Sequence, residues 1–336
     1  MLDRPFLYNI IYALAASGGR DARLFGDGFA LSQEAFERSL PGSGFPELWF
    51  ELPLAGRPWF DLHALASHET IGSHTTFSSH ETGGYPELFS WFARQGREAR
   101  QLALSWDVSS GGIAHPAVQL LVGDRVSATT CAFLEKAGRS DAVPAYRAFL
   151  DRLPNGWFAC YTGVFPARPD MNLRVECIPR PEQQQAYAND PALLEAHLQQ
   201  VGLPVLGDTL VERCQLLAQT PFQLEFQFDV EADGMAGPTI GVSVRFAGPQ
   251  GMGPYDPFDP EGAGGDLMRR IEAWGLADDR WKLLYDASFA KGLKNNGVGS
   301  LLYNYLAFLK LRWRDGLPLD AKVYYLAGLQ DLGTPR

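Results

Sequence analysis

Hydrophobic and polar residues alternate with a period of two along much of this chain. Phe222, Leu224, Phe226 and Phe228 share one face of a short segment, and Gln223, Glu225, Gln227 and Asp229 share the other. Successive side chains of a strand point to opposite faces, so this alternation predicts a half-buried strand. Five strand pairs follow from the same reading. The first is Leu48–Leu52 with Trp59–Leu65, the second Gln101–Val108 with Ala117–Val122, the third Trp157–Thr162 with Asn172–Ile178. The fourth is Phe222–Val230 with Thr239–Phe246. The fifth is Trp281–Phe289 with Lys322–Ala327, with a long helix from Ser300 to Arg312 between its strands.

The pairs begin at residues 48, 101, 157, 222 and 281, in steps of 53, 56, 65 and 59. A near-constant step with one element order is a structural repeat. Helical stretches fill the intervals: Pro86–Arg97, Val143–Leu153, Ala192–Gln200, Thr209–Ala218 and Asp266–Gly275. Leu7, Ile10, Ile11 and Leu14 predict a further amphipathic helix over Phe6–Ala16. Helices covering one face of a roughly ten-stranded sheet leave the other face to curl and close into a barrel. The expected class is α+β: five αββα repeats forming a roughly ten-stranded antiparallel barrel inside a ring of helices, with residues 1–336 as one domain. Its lumen would be polar and wide enough for a ligand.

The 336 residues are 46% hydrophobic and 20% charged, which excludes a disordered chain. The net charge of −10, with no stripe of Lys and Arg, sets nucleic-acid binding aside but not a small anion held by a few inward cations. Cys131, Cys160, Cys177 and Cys214 are far apart and read as reduced buried thiols of a cytoplasmic protein. Asp3 beside Arg4 argues against a signal peptide, and Asn304, Lys310 and Arg312 interrupt the most apolar later stretch.

Alternation assigns Arg174, Arg245, Lys282 and Lys322 to the lumen as cations, and Glu51, Asp61, Asp107, Glu176, Glu225 and Asp229 as carboxylates. Trp49, Trp59, His63, Tyr161 and Tyr324 face the same way. Two readings stay open. Arg174, Glu176, Glu225 and Arg245 could form a structural ion-pair lattice. Alternatively, the cations clamp a diphosphate and stabilise a leaving anion, while aromatic faces shield a carbocation.

With five such units, the pattern resembles the ABBA, or PT-barrel, aromatic prenyltransferases. Lys322-Val323-Tyr324 is similar to their K-x-Y strand motif, and Arg174 in Asn172–Glu176 and Arg245 in Val242–Phe246 occupy similar strand positions. The resemblance implies transfer of a dimethylallyl or longer isoprenyl group from its diphosphate to an electron-rich acceptor, an aromatic compound or a peptide side chain in natural-product biosynthesis. It implies Arg174, Arg245, Lys282 and Lys322 at the diphosphate, and Tyr161, Tyr324, Trp49 and His63 around the cation and acceptor. It implies Glu51 or Asp61 as the carboxylate that orients the acceptor and takes its proton. K-x-Y stands clearly once here, and Lys282 lacks the matching Tyr. Fewer cations imply that magnesium shares the charge, as in the magnesium-dependent bacterial and cyanobactin-type members that this modest length also resembles.

Ser67-His68-Glu69-Thr70 recurs as Ser79-His80-Glu81-Thr82, with His74 midway. The spacing fits neither a helical H-x-x-x-H site nor a zinc finger, so a solvated loop or a lid at the barrel mouth is expected, with a metal-dependent hydrolase as the alternative. Lys294–Ser300 reads as a helix start capped by Ser300. A non-catalytic anion- or peptide-binding barrel is the third reading, and it would tolerate loss of Glu51 and Asp61.

Overall fold

The computed structural model describes residues 22–26, 47–68, 84–96, 98–107, 112–122, 127–168, 173–246, 259–286, 288–295 and 298–333. Eight strands lie where the alternation places them: β1 (Glu47–Pro53), β2 (Asp61–Ser67), β3 (Ala99–Asp107), β4 (Gly112–Val122), β5 (Trp157–Val164), β6 (Leu173–Pro179), β7 (Gln223–Val230) and β8 (Ala236–Arg245). They are followed by β9 (Phe289–Asn295), β10 (Val298–Arg314) and β11 (Leu317–Gly333). The strands β1 to β8 run in sequence order, β10 follows β8, and β11 lies between β10 and β1. Every one of these pairings is antiparallel, so the ring is closed and presents no open edge between β11 and β1. β9 flanks the ring beside Val298–Asn304 of β10, and β8 takes the same side at Phe308–Arg314.

The fifth pair therefore differs from the expectation. Ser300–Arg312 is strand β10, not a helix, and its partner in the hairpin is β11. Trp281–Asp286 is a helix, not a strand. Leu309, Leu311 and Trp313 alternate strictly with Phe308, Lys310 and Arg312, but the nearly continuous apolar run before them also satisfies helical spacing. Lateral pairing decides the conflict: β10 has β11 on one side and β8 and β9 on the other, so its backbone groups are satisfied as strand. The hairpin tip is Asp315-Gly316, with φ of 50° and 73°. Both values are positive, as a two-residue hairpin turn with the right twist requires. The tip packs on Gly207 so closely that a Cβ on Gly316 would stand 2.6 Å from the Gly207 nitrogen.

The helices are α1 (Ala22–Phe25), α2 (Pro86–Phe92), α3 (Ser127–Lys136), α4 (Val143–Arg152), α5 (Pro181–Asn189), α6 (Pro191–Gln200), α7 (Asp208–Ala218), α8 (Ala263–Ala273) and α9 (Trp281–Asp286). The sequence pattern does not predict α1, α3 and α5. α6 begins at a Pro, and the Asp190 side chain accepts from the Ala192 and Leu193 backbone N–H groups at 3.1 and 3.2 Å. The helix Phe6–Ala16 lies outside the described residues, as do His74, His80, Glu69 and Glu81.

The apolar core lies between the outward face of the barrel and the helices. Leu48, Phe50 and Leu52 of β1 and Phe226 and Phe228 of β7 are buried there. Trp157 stacks on Phe226 at 4.7 Å and donates its indole N–H to the Tyr187 hydroxyl at 2.6 Å, which also meets His197 Nδ1 at 2.7 Å. Burial of each such side chain contributes about 1.5–3 kcal/mol. Because this layer consumes the apolar faces, the polar faces turn inward. The four cysteines are unpaired and buried.

Candidate active site

The lumen holds a cavity of about 290 Å³. Its chemistry changes in steps along the barrel axis, and the register of three strands shows how. On β1 and β11, Trp49 stands opposite Leu326, Glu51 opposite Tyr324, and Pro53 opposite Lys322. On β10, Tyr305 pairs with Leu326, Phe308 with Tyr324, Lys310 with Lys322, and Arg312 with Asp320. One end is thus mainly apolar and aromatic, with the half-buried Glu47 beyond Trp49 accepting from the Tyr303 hydroxyl at 3.0 Å; the middle is aromatic with a carboxylate, and the far end is cationic.

Two bulges shape this wall. Register shifts at Ala159/Tyr161 and Leu306/Phe308 bring the adjacent residues Cys160 and Tyr161, and Ala307 and Phe308, to the same cavity. Such bulges re-aim side chains at the cost of one ladder position. Trp49 lies 4.9 Å from Phe308 and 6.4 Å from Tyr324, ring centre to ring centre. The Arg245 guanidinium sits 4.4 Å over Phe308, and Lys310 Nζ lies 5.8 Å from the Tyr324 ring. The Phe308 face thus already holds a positive charge, that of Arg245.

Glu51 is the centre of the middle layer. Its carboxylate accepts from Lys322 Nζ at 2.6 Å and from the Tyr324 hydroxyl at 2.8 Å, and His63 Nε2 lies at 3.3 Å. Burial alone would raise its pKa. Lys322, the His63 hydrogen bond and Lys310 outweigh that and hold the carboxyl well below its ordinary range, so it is ionised. His63 Nδ1 meets Ser105 Oγ at 2.6 Å, which fixes the ring. Asp61 is buried behind Lys322, 3.7 Å from its Nζ, and is not part of the cavity wall. Burial also raises the Tyr324 and Tyr161 phenols far enough that both keep their protons.

Arg168, Arg174, Arg245, Lys310, Arg312 and Lys322 line the cavity. The arginines are paired: Arg245 with Glu225 at 2.7 Å, Arg174 with Asp229 at 2.7 Å, Arg168 with Asp107 through two hydrogen bonds, and Arg312 with Asp320. Arg168 and Arg174 also lie 4.6 and 4.8 Å from the centre of the Phe165 ring. Glu176 is pushed up to about 8 by burial and by its hydrogen-bonded neighbour Glu225, so it keeps a proton at neutral pH. The lattice reading and the clamp reading therefore meet in one wall: a cationic surface whose free-state charge is balanced by carboxylates.

Of the candidates read from the sequence, Trp49, Glu51, His63, Tyr161, Arg174, Arg245, Lys322 and Tyr324 converge on this cavity. Lys282 does not. It lies exposed on α9, outside the barrel, with its ammonium 5.5 Å from the Trp281 ring, because the segment taken for a strand is helical. Trp59 precedes β2 and sits under the Arg57 guanidinium. His68 stacks on Phe92 at 4.5 Å and meets the Ala99 carbonyl at 2.8 Å, a packing role, and no group of metal-ligating side chains occurs among the described residues. Lys310, Arg312 and Phe308 were missed with β10, although their strict alternation was the available signal. Arg168 lies beyond the end of β5 and carried none.

A closed ring of ten antiparallel strands with helices outside and a polar, cation-lined lumen is the PT-barrel fold. The chain resembles the prenyltransferase PriB in its apo form over 95% of both chains, at 14% identity and a TM-score of 0.54. 5-Dimethylallyltryptophan synthase from Streptomyces coelicolor matches at 11% identity, 94% coverage of each chain and a TM-score of 0.50. 6-Dimethylallyltryptophan synthase from Micromonospora olivasterospora, in complex with DMASPP and Trp, matches at 13% identity, 95% coverage of each chain and a TM-score of 0.50. No family model and no curated protein matches the sequence.

Proposed function

We propose that this protein transfers a prenyl group, dimethylallyl in the first instance, from its diphosphate to an electron-rich aromatic acceptor. The observation that carries the reading is the axial order of the lumen, in which a cationic wall adjoins Tyr324, Phe308 and Trp49 with Glu51 between them. PriB has also been captured with L-tryptophan and dimethylallyl thiolodiphosphate, which supports an indole as the first acceptor to try. The allylic C–O bond breaks and its electron pair leaves with the diphosphate, whose charge Lys322, Lys310, Arg174 and Arg245 stabilise. The allylic cation lies against aromatic faces until an acceptor ring carbon bonds to it. Glu51 holds the acceptor through an N–H or O–H and takes the proton released when the ring regains aromaticity. A carboxylate is base enough, because a protonated arene is a strong acid.

Magnesium finds few ready donors here, since Glu51 is already held by Lys322 and Tyr324 and Glu47 by Tyr303. Glu225, Asp229 and Asp107 are each tied to an arginine, and Glu176 is protonated. A peptide side chain is the second acceptor class, since only its aromatic ring need enter the lumen. Four unpaired cysteines support a reducing compartment, the cytoplasm, and among the described residues no helix is long and apolar enough to cross a membrane.

The test is incubation with dimethylallyl diphosphate and a panel of indoles, phenols and Trp-containing peptides, read by mass spectrometry. A product heavier by one isoprene unit supports the reading. Failure to bind inorganic pyrophosphate or a dimethylallyl thiolodiphosphate would overturn it.

A further inference from the structure

The cations of the lumen are not equivalent. Each of the four arginines has a carboxylate, and Lys322 has Glu51. Lys310 is the exception. It is only 3% exposed, yet among the described residues no carboxylate oxygen lies within 4 Å of its Nζ. Its hydrogen-bond partner is the Tyr324 hydroxyl at 3.3 Å, and that hydroxyl spends its own proton on Glu51.

The surroundings are built to take this side chain. Gly241 of β8 lies beneath it, and a Cβ there would stand 2.9 Å from Lys310 Cε. Ser243 pairs with Lys310 from β8, and Glu225 beyond it is held by Arg245. The charged and titratable groups that face Lys310 are Glu51 of β1, Lys322 of β11, Arg312 of its own strand, and Arg174 and the protonated Glu176 of β6. A buried ammonium with no carboxylate in contact, set among three other cations, is costly, and shedding the proton is the usual resolution. Burial is the largest cause, and with Arg174 and Arg312 it pulls Lys310 down to about 7, against Glu51 and Glu176.

We infer that Lys310 is an anion-binding residue that takes a proton from solvent as a diphosphate enters the lumen, so that donor binding and proton uptake are one event. The inference rests on the diphosphate reading of this cavity. In the free protein above about pH 7 the amine sheds its proton and so avoids repulsion with Lys322, Arg174 and Arg312. The entering phosphoryl oxygens supply the missing counter-charge, the amine becomes an ammonium, and it donates to them. The proton comes from water or buffer, and no covalent bond changes.

Calorimetric titration of the full-length protein with inorganic pyrophosphate, in Tris and in HEPES, measures proton uptake from the dependence of heat on buffer ionisation. Lys310→Met and Lys310→Gln remove the titrating amine, and subtracting them cancels the proton exchange of pyrophosphate itself. The expected difference between wild type and variant is about one proton at pH 8 and near zero at pH 6. Wild-type affinity should also fall, relative to the variants, by up to about tenfold per pH unit above pH 7. Both variants should bind more weakly than wild type at pH 6. Binding with no difference in proton uptake between wild type and variants at pH 8 overturns the inference and leaves the proposed function standing. No binding of pyrophosphate at any pH overturns both.

Discussion

Glu51→Gln is the most informative single substitution, because it removes a charge and a proton acceptor while keeping the shape. In the wild type the carboxylate serves Lys322 at 2.6 Å, Tyr324 at 2.8 Å and His63 at 3.3 Å. A Gln carbonyl can still accept from Lys322 and Tyr324, but as a neutral acceptor. Hydrogen bonds to a charged group contribute about 1.5–3 kcal/mol and neutral ones about 1, so the stability loss should be roughly 1–3 kcal/mol. Loss of an orienting base should lower kcat by about 10²–10⁴. Pyrophosphate affinity should be kept or increased, since a negative charge leaves the wall and Lys322 is released toward the ligand.

The pH dependence of that stability difference follows from the depressed pKa. A carboxyl held below its ordinary value of 4.5 contributes stability that is fully present above that value and is lost as pH falls through the depressed one. Thermal melts of the two proteins should therefore differ across about pH 6 to 8 and converge only in stronger acid. Turnover with a prenyl donor and pyrophosphate calorimetry complete the assay. A folded Glu51→Gln protein with wild-type kcat would refute the orienting role. A folded variant that no longer binds pyrophosphate would show instead that Glu51 organises the anion seat.

Glu176 carries a raised pKa, so the folded state holds a proton that the unfolded chain gives up near pH 4.5, and stability falls as pH rises from there through about 8. Glu176→Gln should therefore stabilise the protein by a melting shift seen at pH 9 and small at pH 5. Lys282→Ala should leave pyrophosphate affinity within about twofold of wild type, whereas Lys322→Met should weaken it by about tenfold or more, as expected for loss of a charge-assisted contact. Equal losses from the two would contradict the placement of α9 outside the barrel. Tyr187→Phe should cost about 1–3 kcal/mol in denaturant melts, because the buried Trp157 N–H loses its acceptor.

Most of the barrel was legible in the sequence because one physical rule, alternate burial, acts along every strand. β1, β2, β5, β6, β7 and β11 turn the expected residues inward, from Trp49 and Glu51 to Lys322 and Tyr324. The partners of the cations were not legible. Arg168 meets Asp107 across 61 positions of sequence and Arg174 meets Asp229 across 55, and pattern along a chain carries no information about such pairings. Nor was the fate of Lys282, since Trp281–Asp286 is too short for either period to declare itself.

The failure at β10 bears on function. This strand is apolar on both faces at its beginning, because Leu302 and Leu306 face the helices while Tyr303 and Ala307 join the aromatic end of the lumen. A strand buried on both faces loses its alternation and imitates a helix. Its second half regains the alternation, with Lys310 and Arg312 inward and Leu309, Leu311 and Trp313 outward. The same strand thus runs from the apolar end to the cationic end of the cavity, and its change of pattern marks the boundary. An isoprenyl diphosphate has that very polarity, a hydrocarbon chain ending in a polyanion. The alternation begins at Phe308, which pairs with Tyr324 at a ring distance of 5.9 Å, two positions before Lys310 pairs with Lys322.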